Sequence, residues 1–418
     1  MNILWLCNTV PAEICDILGF KKKYYEGWIS GMLNAINQYA DIDLSLCVPI
    51  SNLERMKDGE TSDYRFYSFH SIGIEHNSNE EQVERFSWII RDSEPDVVHI
   101  WGSEYGATLS MVNACDRVGI KSRVVVHIQG LASAIVPYTS VSIPSEWINH
   151  IGGNGRKISD DNEQMIKRGL NEITTLKAIQ YVLGRTEWDR SYIRSVNKSI
   201  RYRYCGEVLR EKFYRDDRRW DVANCKRHSI FITQGGYAIK GIHLIIPAIA
   251  MLKEKYTDIR VFISGNSSLS QTASIVTDPY SEYLKALMEK YAIEDTFEFI
   301  GALESGEMIE RYLSANILVV PSTIENSSNS IGEAQLLGVP VVASYTGGTP
   351  SLIEHTKTGL LYQMDADYMF VSCVEHIFDD DAFAMELSLN EHEVARKRYD
   401  PKTVSEQLYN IYKEVVSV

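Results

Sequence analysis

Short apolar runs, each closed by a glycine, a proline or a polar cluster, recur along this chain with amphipathic stretches between them. They read DVVHIW after Pro95, RVVVHI after Gly119, SIFIT from Ser229, RVFIS from Arg260, TFEFI from Thr296, ILVVP from Ile317 and VPVVA from Val339. Runs of this kind suit strands buried on both faces, which occur where helices cover a parallel sheet. Between them, Trp28, Met32 and Ile36 share one helical stripe, and so do Val83, Phe86 and Ile90. Ile42, Leu44, Leu46 and Val48 alternate strictly, as a half-buried strand does. Strands alternating with helices imply right-handed crossovers and sheets covered on both faces. The expected class is α/β with doubly wound parallel sheets.

The alternation runs in two rounds. The first opens with a strand near Asn2 to Cys7, and the second follows the charged stretch EKFYRDDRRWD, Glu211 to Asp221. A length of 418 residues accommodates two or three domains. The expected division is a first domain over 1–215, a second over 222–400 and a closing helix over 401–418. That helix, with Val404, Leu408 and Tyr412 at helical spacing, is expected to pack back on the first domain. Val136 to Asp161, rich in Ser, Pro, Gly and Asn, reads as a long surface loop.

Composition narrows the function. Lys and Arg total 42 against 56 Asp and Glu, and a net charge of −14 disfavours phosphate backbones, so no nucleic-acid partner is expected. The basic run Lys21 to Lys23 reads as a solvated face. Seven scattered cysteines with no C-x-x-C argue against a disulfide framework and a structural zinc site. The start, MNILWLCNTV, has no basic region before its apolar run. The longest apolar-rich stretch, Ile242 to Leu252, falls far short of the about 20 residues a membrane span needs. The chain therefore reads as cytoplasmic, at most peripheral to a membrane. D-x-D occurs at Asp41–Asp43 and Asp365–Asp367, but neither follows a strand aimed at a ligand, and no metal or cofactor is expected.

Ligands of such sheets bind beyond the carboxyl ends of the strands. The richest loop there is PSTIENSSNSIGEAQLLGVPVVAS, Pro321 to Ser344. A helix is expected to start near Ser330 and stop at Gly338, and its free N–H groups and dipole favour an anion. Glu325 lies on the loop and Glu333 in the expected first turn, seven residues intervening. Each has a plain alternative: Glu333 completes a capping box with Ser330, and Glu325 is a solvated loop carboxylate.

PS, E-x7-E, EA, G-x-PVVAS, GG-x-P and IEHTKTGLLY together resemble the retaining GT-B glycosyltransferases of family 4. ITQGGYAIKGIHLIIPAIAML is similar to the start of that family's donor domain, and FEFIGAL to its F-x-G segment. PDVVHIWGSEY, VVVHIQGL and GRTEWD look like a bacterial polysaccharide-synthesis branch of it. The resemblance implies a GT-B fold, two Rossmann-like domains facing across a cleft. It implies transfer of a sugar from a nucleoside-diphosphate sugar to a saccharide or lipid-linked saccharide hydroxyl, with retention at the anomeric carbon. Carried onto this sequence, Glu333 would bind the donor ribose, Glu325 the transferred sugar, and the N–H groups of Ser330 and Ile331 the diphosphate. Lys240 would offset charge on the leaving group, as electrostatic stabilisation requires. Gly27, Gly236, Ile300 and Asn326 would line the donor, and Gln129 would stand near the reacting sugar. His99, Glu104 and His127 would serve the acceptor.

Two departures accompany the resemblance. The family's arginine about five residues before the lysine is absent, since Gln234, Gly235 and Gly236 fill that region. Arg185 is the candidate substitute for its charge, with a structural ion pair to Asp189 as the alternative. Gln129 stands where the family often has a histidine, so it positions but does not carry protons near neutral pH. His127 reads first as a hydrogen-bonded core histidine, and His99 reads equally as one lying under the sheet. A non-catalytic sugar-binding scaffold, a nucleotide-sugar epimerase and a phosphorylase of the same architecture are the competing readings.

Overall fold

The computed structural model describes residues 1–20, 28–50, 56–70, 78–270 and 276–417. The chain divides into two units. One comprises Met1–Val136, Gln164–Arg210 and Tyr399–Val418, the other Pro137–Glu163 and Glu211–Arg398. The first is built on a sheet parallel but for one edge strand and the second on a wholly parallel one, so the class is α/β with two doubly wound domains.

The first unit holds β1 (Asn2–Leu6), β2 (Asp43–Ile50), β3 (Lys57–Glu60), β4 (Arg65–His70), β5 (Val97–Trp101), β6 (Val124–His127), β7 (Tyr181–Gly184) and β8 (Arg201–Tyr204). Their order is β3-β4-β2-β1-β5-β6-β7-β8. Only β3 runs antiparallel, at the edge beside β4. Ile3, Leu4, Trp5 and Leu6 of β1 are all buried, as a central strand covered on both faces requires. The closing helix Pro401–Val416 belongs to this unit and buries Val404, Leu408 and Tyr412. The Tyr412 hydroxyl accepts from Trp5 Nε1 at 2.8 Å and lies 2.5 Å from His99 Nδ1, tying this helix to the sheet.

The second unit holds β9 (Ser229–Ile232), β10 (Arg260–Ser264), β11 (Phe297–Gly301), β12 (Ile317–Val320), β13 (Val341–Ser344) and β14 (Leu360–Tyr362). Their order is β11-β10-β9-β12-β13-β14, every neighbouring pair parallel. The chain builds outward from β9 to β11, then returns to the other side of β9 to lay down β12. Strand order thus reverses between β9 and β12, leaving a crevice at their carboxyl ends where such sheets bind ligands.

The segment read as a long surface loop is a correction. It contains the helical turn Val136–Tyr138, the helix Ser145–Ile148 and the start of the helix Ile158–Ala178. Pro137–Glu163 also belongs to the second unit rather than the first. Glu282, in the first turn of the helix Pro279–Tyr291, accepts from Gly153 N at 3.0 Å and pairs with His150 Nε2 at 2.6 Å. A Cβ on Gly152 would stand 2.6 Å from Pro279 N, so the backbone there packs flat against that helix start. Polar and backbone contacts leave no apolar periodicity to read.

Candidate active site

Two loops meet at the β9/β12 crevice. After β9 the chain passes Thr233 to Gly236 and enters the helical turn Ala238–Lys240. After β12 it passes Pro321 to Ser328 and enters the helix Asn329–Leu337. Gly241 follows Lys240 at φ +68°, and a Cβ there would stand 2.0 Å from the Pro321 carbonyl oxygen. Only glycine meets both demands, which accounts for the K-G pair. Thr323 N donates to Ile239 O at 2.8 Å, closing the two loops onto each other.

This docking brings Lys240 and Glu325 together. Lys240 Nζ lies 2.9 Å from Glu325 Oε2, which also accepts from Ser322 Oγ at 3.2 Å. The two side chains are 20% and 17% exposed, so the pair is shielded yet open to a ligand. Burial works against the lysine charge, but the Glu325 carboxylate more than offsets it and holds the ammonium above the usual lysine range. The GG-x-P motif fixes Glu325 from the other side: Gly348 N donates to Glu325 O at 2.8 Å, and a Cβ on Gly347 would come within 2.1 Å of that oxygen.

Glu333 stands nearby on a different footing. It is the fifth residue of the helix Asn329–Leu337, not part of its first turn, and is only 4% exposed. Ser328 is the N-cap and makes no side-chain capping bond, so the capping box between Ser330 and Glu333 does not form. Instead the Tyr312 hydroxyl contacts Glu333 Oε2 at 3.3 Å and Ser330 O at 3.2 Å. Ser330 Oγ is 2.6 Å from Thr233 Oγ1, joining the helix start to the end of β9. Ile331 and Asn326 are buried, and Ile300 is half-buried on β11. Gly236 sits in close backbone contact, its notional Cβ 1.8 Å from Asn266 O. Tyr312 had no signal in the sequence, since an aromatic at helical spacing reads as core.

In the first unit the expected residues separate. Gln129 follows β6 and is half-buried, its side-chain nitrogen without a partner among the described residues. Glu104 follows β5 and is 9% exposed; burial raises its carboxyl, while Tyr105 and Arg168 act in the opposite sense. Beside it, Glu172 accepts from Ser103 Oγ at 2.9 Å and from the N–H groups of Ala132 and Ser133, each at 3.0 Å. Burial pushes that carboxyl up to about 7.

Three expectations are corrected here. Arg185 does not offer a free charge, because its guanidinium is buried and paired with Glu207, and it donates to the carbonyls of Ile128 and Gln129 at 3.2 Å. Asp189 takes the Arg185 backbone N–H instead, at 2.8 Å. His99 does not face an acceptor: it lies in the middle of β5, fully buried, and burial lowers its imidazole to about 3. His127 is equally buried, and the rings of His99, Trp101 and His127 cluster with centroids 4.2, 4.6 and 5.5 Å apart. Neither ring has surface with which to touch an acceptor. Gly27 and Lys21 to Lys23 lie outside the described residues.

Among the described residues no group of three or more His, Cys, Asp or Glu is placed to hold a metal ion. No described helix is long and apolar enough to cross a membrane.

The region that forms the crevice matches a known family model. The family model for glycosyl transferases group 1 matches residues 216–397, which take in β9 to β14 and both loops. A D-inositol 3-phosphate glycosyltransferase from Corynebacterium aurimucosum is 30% identical over 182 residues, 43% of this chain and 41% of that protein. The match therefore spans about two-fifths of the length of such relatives. Among solved structures, sucrose-phosphate synthase from Thermosynechococcus elongatus superposes with a TM-score of 0.69 at 17% identity, covering 100% of this chain and 99% of that one. Anabaena HepE in complex with UDP and glucose superposes with a TM-score of 0.65 at 14% identity, covering 99% and 100%. At such identities the likeness establishes the fold.

Proposed function

We propose that this chain is a retaining glycosyltransferase that moves a sugar from a nucleoside-diphosphate sugar to a hydroxyl of a saccharide or lipid-linked saccharide. The observation that carries the reading is the shielded Lys240–Glu325 pair beside the buried Glu333, at the point where strand order reverses. In this reading Glu333 accepts from two ribose hydroxyls, a geometry a carboxylate suits. Glu325 accepts from the transferred sugar and orients its anomeric carbon. The first-turn N–H groups at Ser330 and Ile331, with Lys240, receive the diphosphate. Ile300, Asn326 and Gly236 line the donor. In the first unit, Gln129 positions the reacting sugar and Glu104 binds the acceptor.

The chemistry asks for little beyond position and charge. The bond from the anomeric carbon to the phosphate oxygen breaks as the acceptor oxygen bonds to the same face. The acceptor proton passes to the departing phosphate, and Lys240 offsets the charge that develops there. The HepE complex supports a uridine nucleotide as the donor carrier. We assign the product to bacterial surface polysaccharide or glycolipid synthesis on the likeness of the first-unit motifs, with the chain cytoplasmic or peripheral at the membrane. The test is donor turnover: UDP-, GDP-, ADP- and dTDP-sugars are each incubated with the protein, with and without EDTA, and nucleotide release is followed. Slow hydrolysis of one donor, indifferent to EDTA and abolished by Glu325→Ala, is expected. Turnover that survives in a Lys240→Ala, Glu325→Ala double variant overturns the site assignment.

A further inference from the structure

The donor reading leaves one side chain beside Lys240 without a role. Tyr237 ends the turn after β9, three residues before Lys240, and its ring centroid lies 5.7 Å from the Lys240 ammonium. Its backbone is held in place, since the Tyr237 carbonyl accepts from Lys240 N at 3.1 Å. Immediately upstream, Gly235 packs against Ile263 and Gly236 against Asn266, with notional Cβ distances of 2.4 and 1.8 Å. The residue is nevertheless 43% exposed, so its side chain is open to a ligand beside the shielded ion pair. The Tyr237 phenol is among the groups that hold the Lys240 ammonium charged, and a phenol that faces a cation with its oxygen keeps its own proton for another acceptor. That proton is then available to an oxygen-rich group that lies against Lys240.

Charge favours such a donor beside the helix N–H groups. A diphosphate carries more than one negative charge, whereas Lys240 is already paired with Glu325. A second donor set against the same anion adds a charge-assisted hydrogen bond without a further cation. We propose that Tyr237 is a diphosphate-binding residue, its hydroxyl working with Lys240 to hold the nucleoside diphosphate. This rests on the donor reading above and names one more contact within it.

The experiment compares the affinity of the full chain and of its Tyr237→Phe and Tyr237→Ala variants for UDP, GDP, ADP and dTDP, and for the matching nucleosides without phosphate, by calorimetry. For the diphosphate that the parent protein binds, Tyr237→Phe is expected to weaken affinity by about ten- to a hundredfold, the range for a lost hydrogen bond to a charged group. Nucleoside affinity and the thermal midpoint should stay within error of the parent protein. If Tyr237→Phe binds the diphosphate as the parent does while Tyr237→Ala does not, the ring acts by packing and the proposal is overturned, with the donor reading intact. Equal loss for nucleoside and diphosphate overturns it as well. If the parent protein binds none of the four diphosphates, the donor reading itself falls and this inference falls with it.

Discussion

Glu391 offers a quantitative test of how the helix beneath the site is held. The helix Asp381–Arg398 buries Ala384, Leu387, Ser388, Glu391 and Ala395, a stripe at helical spacing facing the unit's interior. Its neighbour is the helix Asn329–Leu337, which carries Ser330 and Glu333. Glu391 is fully buried, and neither carboxyl oxygen has a hydrogen-bond partner among the described residues. Burial alone raises this carboxyl well above the glutamate range, so the folded protein holds it as the neutral acid. The consequence for stability has a definite sign. Below the unfolded-state value, near 4.3, both states are protonated and the group contributes no pH dependence. Above it the unfolded chain releases the proton while the folded one retains it, so stability falls with rising pH. The slope is about 1.4 kcal/mol per pH unit until the folded group ionises. Between pH 4.5 and pH 7 this amounts to about 3 kcal/mol. Glu391→Gln preserves shape and removes the titration. By scanning calorimetry it should match the parent near pH 4.5 and exceed it near pH 7, by roughly 6 to 10 °C for the transition of a unit this size. A difference in midpoint that is the same at both pH values refutes the argument, because it means that Glu391 does not remain protonated in the fold.

Three further outcomes follow from the geometry. Lys240→Met should lower the rate of donor cleavage by roughly a hundredfold or more, with nucleotide release as the readout. Gly241→Ala places a methyl 2.0 Å from the Pro321 carbonyl at a left-handed φ. It should cost more than the roughly 1–3 kcal/mol of backbone strain alone, seen as a lower unfolding midpoint, together with loss of donor binding as the Lys240 turn parts from the Glu325 loop. Glu207→Gln leaves the buried Arg185 guanidinium without its counter-ion. Removal of one partner of a buried pair costs about 3–5 kcal/mol, so thermal stability should fall while donor affinity, measured below the transition, stays unchanged. A weakened donor affinity there would return Arg185 to the donor site.

What the sequence disclosed depended on whether a residue's surroundings were local. The strands β9, β10, β12 and β13 announced themselves because a strand buried on both faces is mostly apolar, and the β9/β12 crevice followed from the strand order. β3 (KDGE) and β8 (RYRY) gave no such signal, since each is largely exposed and polar. The same limit governed the site. Lys240 and Glu325 stand on loops pinned by glycines whose motifs are visible in the chain; their expected roles came from the resemblance of those motifs to a family, since each residue alone reads as a solvated side chain. The pairing of Arg185 with Glu207 joins the ends of two neighbouring strands, β7 and β8, and nothing in GRTEWD distinguishes a guanidinium aimed at a phosphate from one neutralised by its neighbour. The histidines show the converse. His99 and His127 occupy runs otherwise made of Val, Ile and Trp, and in a strand covered on both faces every position is interior, whichever residue fills it. An apolar run with one polar member is therefore better read as core than as a ligand approaching from the strand's end. Applied to Gln129, which lies beyond the last residue of β6 and keeps part of its surface, the same rule points the other way, and Gln129 keeps its place in the proposed function.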